Sequence, residues 1–190
     1  MGGHALTGVE GFRRRSDMFY VDPKRIVVVD GWNPRTDFSG EDDLKASIIE
    51  NGVEVPLLVR KVDGVMHLKD GERRLRATLK AISEGHEIEA VPVQVERKGV
   101  NDIDSLVTAL IRNDGKPLLA AEEATAYRRL EKYGLTAADI SRKVGKSVSH
   151  VRNRIELAGA SPDVKEAVNN REITIGAAQE IAKNPSIEKQ

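Results

Sequence analysis

The segment that decides the fold runs Leu57-Leu58-Val59-Arg60-Lys61-Val62-Asp63-Gly64-Val65-Met66-His67-Leu68-Lys69-Asp70-Gly71-Glu72-Arg73-Arg74-Leu75-Arg76-Ala77. Two apolar runs flank Asp63-Gly64, a dipeptide whose residues both accept positive φ and so suits a tight β-hairpin turn. After Asp70-Gly71 the period changes: Leu75, Leu79 and Ile82 share one face of a helix, with Gly85 beyond its end. A hairpin feeding a helix is the start of a small α/β unit. Upstream, the β-branched run Ile26-Val27-Val28-Val29, closed by Asp30-Gly31 and Asn33-Pro34, reads as a buried strand. Ser39 followed by Asp42 predicts a capping box for a helix carrying Leu44, Ile48 and Ile49 and stopped at Gly52. Ile88 to Val95 adds a strand interrupted by Pro92. Order begins near Tyr20, and the Gly-rich start ending in Arg13-Arg14-Arg15 reads as a mobile arm.

Past Gly99 only helical periods occur: Leu106, Leu110 and Ile111; then Ala124, Tyr127 and Leu130; then helices punctuated by Gly134, Gly145, Gly159 and Asn169-Asn170. The expected fold class is therefore α+β, a small α/β domain followed by an all-helical one. We divide the chain into an arm (1–16), an α/β domain (17–100), a connecting helix and linker (101–121) and a helical domain (122–190).

Composition removes several chemistries. The 190 residues contain no Cys, which excludes disulfides, thiolate nucleophiles and Cys-ligated metals. No apolar run approaches the roughly 20 residues of a membrane span, and the start lacks the layout of a secretory signal. We expect a soluble, cytoplasmic protein with no membrane partner. Thirty Lys and Arg balance thirty Asp and Glu, so a chain-wide basic sheath for nucleic acid is absent, although a local basic face is not.

Such a face lies in a helix-turn-helix pattern. Thr136 with Asp139 makes a capping box, Ile140 and Val144 share a face, Gly145 breaks the helix, and Ser147 caps the next one. At about 100° per residue, Val148, Val151, Ile155 and Ala158 fall on one side, with Ser149, His150, Asn153 and Arg154 opposite. Residues 141–154 hold Arg142, Lys143, Lys146, Arg152 and Arg154 and no acid. Two short helices with a Gly turn and a polar, basic second helix fit a recognition helix for the major groove. Ser149, His150 and Asn153 are the expected base readers. Arg142, Lys143, Lys146, Arg152 and Arg154 are the expected phosphate contacts, next to the capping Ser147. A surface helix pair that is merely polar outside is the bland alternative.

The turn Asp70 to Ala77 is a second candidate. Backbone N–H groups at a helix start favour an anion, Gly71 lets the backbone approach it, and arginines strengthen the preference. Only some of Arg73, Arg74 and Arg76 can reach one phosphate chain, because they do not share a face. A solvated basic helix start is the bland alternative here.

Trp32-Asn33-Pro34-Arg35, then Asn51-Gly52-Val53-Glu54-Val55-Pro56-Leu57-Leu58-Val59-Arg60, then Gly71-Glu72-Arg73-Arg74-Leu75-Arg76-Ala77, with Glu122-Glu123-Ala124 and the helix-turn-helix, resemble in order and spacing the ParB family of chromosome- and plasmid-partition proteins. The likeness covers about residues 20–180. It implies a nucleotide-binding domain of the ParB/sulfiredoxin fold and a helical domain that binds a partition-type, palindromic double-stranded DNA site. It further implies CTP with Mg²⁺ as the nucleotide, and self-association as a dimer that closes into a DNA-sliding clamp. Carried over by position, Gly52, Pro56 and Leu57 would lie near base and ribose, Gly71, Glu72, Arg73 and Arg74 would hold the triphosphate, and Asn113 would offer an oxygen to Mg²⁺.

The chain departs from the family pattern at Arg112-Asn113-Asp114-Gly115-Lys116, where Glu-Asn followed by Gln-Arg is usual, and the stretch to Glu122 is one residue shorter. Arg112 cannot perform the hydrolytic role implied for that Glu, so CTP hydrolysis is expected to be weak or lost. Sulfiredoxin activity needs a Cys and is excluded. Kinases of this fold depend on a carboxylate base, and they do not carry this helix-turn-helix. A nuclease lacks its clustered carboxylates here. The family's carboxyl-terminal self-association domain is not seen, so a fragment or a shorter phage or plasmid relative is expected, associated with nucleoid, plasmid or phage DNA. The arm with Arg13 to Arg15 would contact a ParA-like ATPase or DNA backbone. The alternative function is a plain helix-turn-helix repressor whose first domain no longer switches with nucleotide.

Overall fold

A computed structural model of the chain describes residues 18–97, 99–112 and 116–183. The arm and Asn113 lie outside the described residues. The first domain contains β1 (Met18–Val21), β2 (Ile26–Val27), α1 (Glu41–Asn51), β3 (Leu57–Val62), β4 (Val65–Asp70), α2 (Glu72–Ser83) and β5 (Val91–Val95). Its sheet has the order β1-β5-β3-β4-β2. β3 and β4 form the expected antiparallel hairpin, with Asp63 and Gly64 both at positive φ. β5 runs parallel to β3 on the other side, which needs the crossover helix α2 between β4 and β5. Ile26, Leu57, Val59, Leu68, Leu75, Val91 and Val93 form its core.

Three local expectations are corrected. The run Ile26 to Val29 is no buried strand: only Ile26 and Val27 pair, at a sheet edge beside β4, and Val27 and Val28 are 44% and 41% exposed. Ser39 does not cap α1; Gly40 occupies the cap position in a left-handed conformation, and the Ser39 N–H instead donates to Asp37. β5 starts at Val91 rather than Ile88 and pairs with β1, so order extends back to Met18.

The helical part comprises α3 (Asp102–Ile111), α4 (Ala120–Lys132), α5 (Ala137–Val144), α6 (Val148–Leu157), α7 (Pro162–Asn169) and α8 (Ile175–Ala182). α3 belongs to this body: Leu106, Val107 and Leu110 pack with Tyr127, Leu130, Ile140 and Val151. Arg60 on β3 ties the start of α3 to the sheet, donating to Glu96, Asp102 and Ser105 at 2.6 Å each. α4 is central, since Ala124 also enters a second core with Leu157, Val164, Val168 and Ala178. Among the described residues no helix is long and apolar enough to cross a membrane.

Candidate functional site

A cavity of about 520 Å³ opens between the loop 33–35, α1, the turn 52–55, the start of α2 and the end of α3. Gly71 sits at its floor with φ +99°, and a Cβ there would lie 2.6 Å from Leu57 Cδ2, so the backbone turn tolerates no side chain. The first N–H groups of α2 follow at once and lack helical acceptors. Arg73 lines the cavity, and its Nε is buried without a hydrogen-bond partner. A buried cationic donor with no acceptor is costly unless something fills the site.

The neighbouring groups have other tasks. Arg74 also lines the wall, but its guanidinium donates to the carbonyls of Val55 and Pro56, the latter at 3.0 Å, and lies 3.4 Å from Asp70 Oδ2. It braces the turn 52–56 against α2 rather than reaching into open space. Glu72 is buried and accepts from Asn33 Nδ2 (3.1 Å) and Arg76 Nε (2.9 Å). Gly52 is in the cavity lining, whereas Pro56 and Leu57 are not, and Leu57 is fully buried in the sheet core. Arg112 lines the cavity from the end of α3 and donates to Gln94 at 3.3 Å.

The helix pair carries its expected caps. Thr136 and Asp139 form the capping box, Gly145 ends α5 in a left-handed conformation, and Ser147 Oγ accepts from the His150 N–H at 3.1 Å. The faces of α6 differ from expectation. His150 and Arg154 turn toward α4: Arg154 Nε donates to Glu123 Oε2 at 2.8 Å, and His150 Nε2 lies 3.3 Å from the same oxygen, out of hydrogen-bond alignment. The His150 ring meets Tyr127 edge-on, and burial, with the Glu123 charge, pushes the Tyr127 phenol up to about 12. Asn153 Oδ1 accepts from Gln179 on α8 at 3.2 Å. The physical reason is that α4, α5 and α8 all pack on α6, so its covered arc is wider than one apolar stripe. Ser149 and Arg152 face outward, as does Lys146 in the turn, and among the described residues Lys146 and Arg152 make no ion pair. Arg142 and Lys143 hold exposed pairs with Asp139 and Asp104.

The model of the ParB N-terminal domain matches residues 19–114, and that of the ParB HTH domain matches 116–190. The chain belongs to the ParB family. It is 38% identical over 149 residues to the chromosome-partitioning protein Spo0J of Thermus thermophilus, covering 77% of this chain and 53% of that one. It is 34% identical over 157 residues to the nucleoid occlusion protein of Halalkalibacterium halodurans, covering 80% and 53%. This ParB-family chain thus spans about half the length of the curated relatives it matches. Among solved structures, the C-terminally truncated ParB of Caulobacter crescentus complexed to the centromeric parS site is 29% identical with a TM-score of 0.58, covering 86% of this chain and 84% of that one.

Asn113, the residue that the ParB resemblance offers to Mg²⁺, lies outside the described residues. Glu72 is held by Asn33 and Arg76, Asp70 lies against Arg74, and no group of three His, Cys, Asp or Glu gathers among the described residues. Sequence reasoning also missed Glu122 and Arg129 as parts of the site. Both lie on α4 yet bond the loop 31–37 of the first domain. A Glu three residues into a helix signals only a cap, and nothing local announces its second partner.

Proposed function

We propose that the chain is a ParB-type, nucleotide-regulated, site-specific binder of double-stranded DNA acting in partition in the cytoplasm. The observation that carries the nucleotide part is the buried, unpartnered Arg73 Nε in a cavity floored by Gly71 and the start of α2. An anionic chain placed there meets backbone N–H groups, the helix dipole and a guanidinium in a confined space, where such interactions are strongest. Arg73 and the N–H groups of α2 are the primary phosphate donors, with Gly52 on the side where the rest of the nucleotide would lie. CTP is the nucleotide that the family resemblance favours. Arg112, a cation at the cavity rim, supports binding without efficient hydrolysis.

For DNA, Lys146, Ser149 and Arg152 form the exposed contact face, with Arg142 and Lys143 able to leave their screened surface pairs for phosphates at small cost. His150, Asn153 and Arg154 orient α6 instead. Nucleotide-dependent self-association into a clamp on a palindromic site completes the reading, with a ParA-like ATPase as a further partner.

Titration of the chain with CTP, ATP and GTP, with and without Mg²⁺, tests the nucleotide part. Affinity for CTP in the micromolar to millimolar range is expected, and no binding of any of the three at millimolar concentration would refute it. Retention on closed but not open-ended DNA, only with nucleotide, separates the clamp from a plain repressor.

A further inference from the structure

The loop that lines one wall of the cavity is held at both ends by α4, a helix of the other domain. At its start, Arg129 Nη1 donates to the carbonyls of Gly31 and Trp32 at 3.0 Å each, with the guanidinium 4.6 Å from the Trp32 ring centroid. Trp32 is fixed further by its indole N–H, which donates to the Lys69 carbonyl at 3.0 Å, and by the Lys69 ammonium 3.4 Å from the ring centroid. At the loop's end, Glu122 is 2% exposed, and its Oε1 accepts from the Thr36 N–H (2.5 Å), the Asp37 N–H (2.7 Å) and the Thr36 hydroxyl (3.1 Å). Glu122 Oε2 accepts from the Leu119 N–H at 2.8 Å and so caps its own helix. Between these anchors lie Asn33, Pro34 and Arg35, all in the cavity lining.

We propose that Glu122 and Arg129 form a two-point latch that positions the cavity wall, with Glu122 the positioning residue of larger effect. A buried carboxylate with four donors is fully satisfied only while the loop is seated. The same helix carries Glu123, which accepts from Arg154 of α6 and lies beside His150, so the seating of the loop and the seating of the recognition helix share one rigid element. The nucleotide consequence rests on the reading given under Proposed function, whereas the latch itself does not.

Glu122→Gln is the discriminating variant. It is nearly isosteric but has one acceptor oxygen, so either the loop N–H groups or the helix cap meets an NH₂ instead. Trp32 is the only tryptophan of the chain and is 6% exposed, which makes its fluorescence a direct monitor of loop seating. With helical circular dichroism retained, the latch predicts about tenfold weaker CTP binding. It also predicts about twofold greater acrylamide quenching of Trp32, reversed by saturating CTP. A folded Glu122→Gln whose affinity and quenching both equal those of the native chain overturns the proposal. Should Glu122→Gln fail to fold, Arg129→Gln carries the same test with a smaller loss, and unchanged affinity and quenching there overturn it equally. If the native chain binds no nucleotide, that reading fails by itself. The latch is then judged on quenching alone: greater in the variants supports it, unchanged refutes it.

Discussion

The two basic stretches of the chain, Arg73 to Arg76 and Arg142 to Arg154, look alike in sequence and are used differently. In the first, Arg74 is buried against backbone carbonyls and Arg76 is drawn onto Glu72 and the Phe38 ring. That leaves Arg73 with a buried, unpartnered nitrogen in a confined cavity. In the second, Arg154 turns inward to Glu123, while Lys146 and Arg152 stay in water. A count of charges along a segment is therefore not a count of charges available to a ligand. Some of the partners that neutralise them sit one helical turn away, as Asp70, Glu72 and Asp139 do, and others, Glu123 and Asp104, come from tens of residues away.

The sharpest way to break this comparison is inside the first stretch. Arg73→Ala should weaken nucleotide binding by about 10- to 150-fold, since a charge-assisted hydrogen bond contributes about 1.5–3 kcal/mol, while a short duplex binds within about twofold of the native affinity. Equal loss of both would show that the two sites are not separate. Arg74→Ala should act on the fold instead. It strips the donor from Val55 and Pro56 and leaves Asp70 without its arginine, at about 2–3 kcal/mol, visible as a fall in melting temperature even without nucleotide. If Arg74→Ala melts like the native chain and loses only nucleotide affinity, the division of labour drawn between the two arginines is wrong.

The second stretch gives smaller effects because its contacts are exposed. Arg152→Ala should lower DNA affinity several-fold and reduce the slope of log affinity against log salt by about 0.9, the signature of one lost phosphate contact. Arg154→Ala should leave that slope unchanged and lower thermal stability. A salt slope that falls for Arg154→Ala and not for Arg152→Ala would return the recognition face to the one that simple helical spacing suggests.

What could be read in advance follows the range of each interaction. The Asp63-Gly64 hairpin, the Thr136–Asp139 capping box and the Gly145 stop are settled within a few residues, and each was visible. β1 was not, because Met18 to Val21 is a short edge strand whose first three side chains are exposed, with no alternation to detect. Val27 and Val28 misled for the converse reason: β-branching favours a strand, but an edge position left only two residues to pair. Arg73 and Gly71 were found because an anion site at a helix start is local chemistry. Glu122, Arg129 and the inward turn of His150 and Arg154 were not, because each depends on which distant segment, the loop 31–37 or α4, lies across from it.

The finest test of the confined-versus-open contrast is a titration at the loop's end. Asp37 accepts from the Ser39 N–H at 2.8 Å and pairs with Lys116 Nζ at 2.6 Å, and the Lys116 hydrogen bond, with those from Ser39, holds its carboxyl well below the usual 3.8. A carboxyl whose folded pKa is depressed contributes stability above its unfolded pKa and loses it as the pH falls through the folded value. The native chain should therefore melt slightly above Asp37→Asn from pH 5 to 8, by about 1–2 °C for a partly exposed pair contributing about 0.5 kcal/mol. The difference should shrink below about pH 4, where the unfolded chain begins to take up the proton. The Asp37 N–H still donates to Glu122 in the variant, so equal melting of the two chains from pH 5 to 8 would show that the loop is held by its backbone seat on α4 and not by the surface pair beside it, and a gap undiminished at pH 2 would show that it does not come from the Asp37 charge.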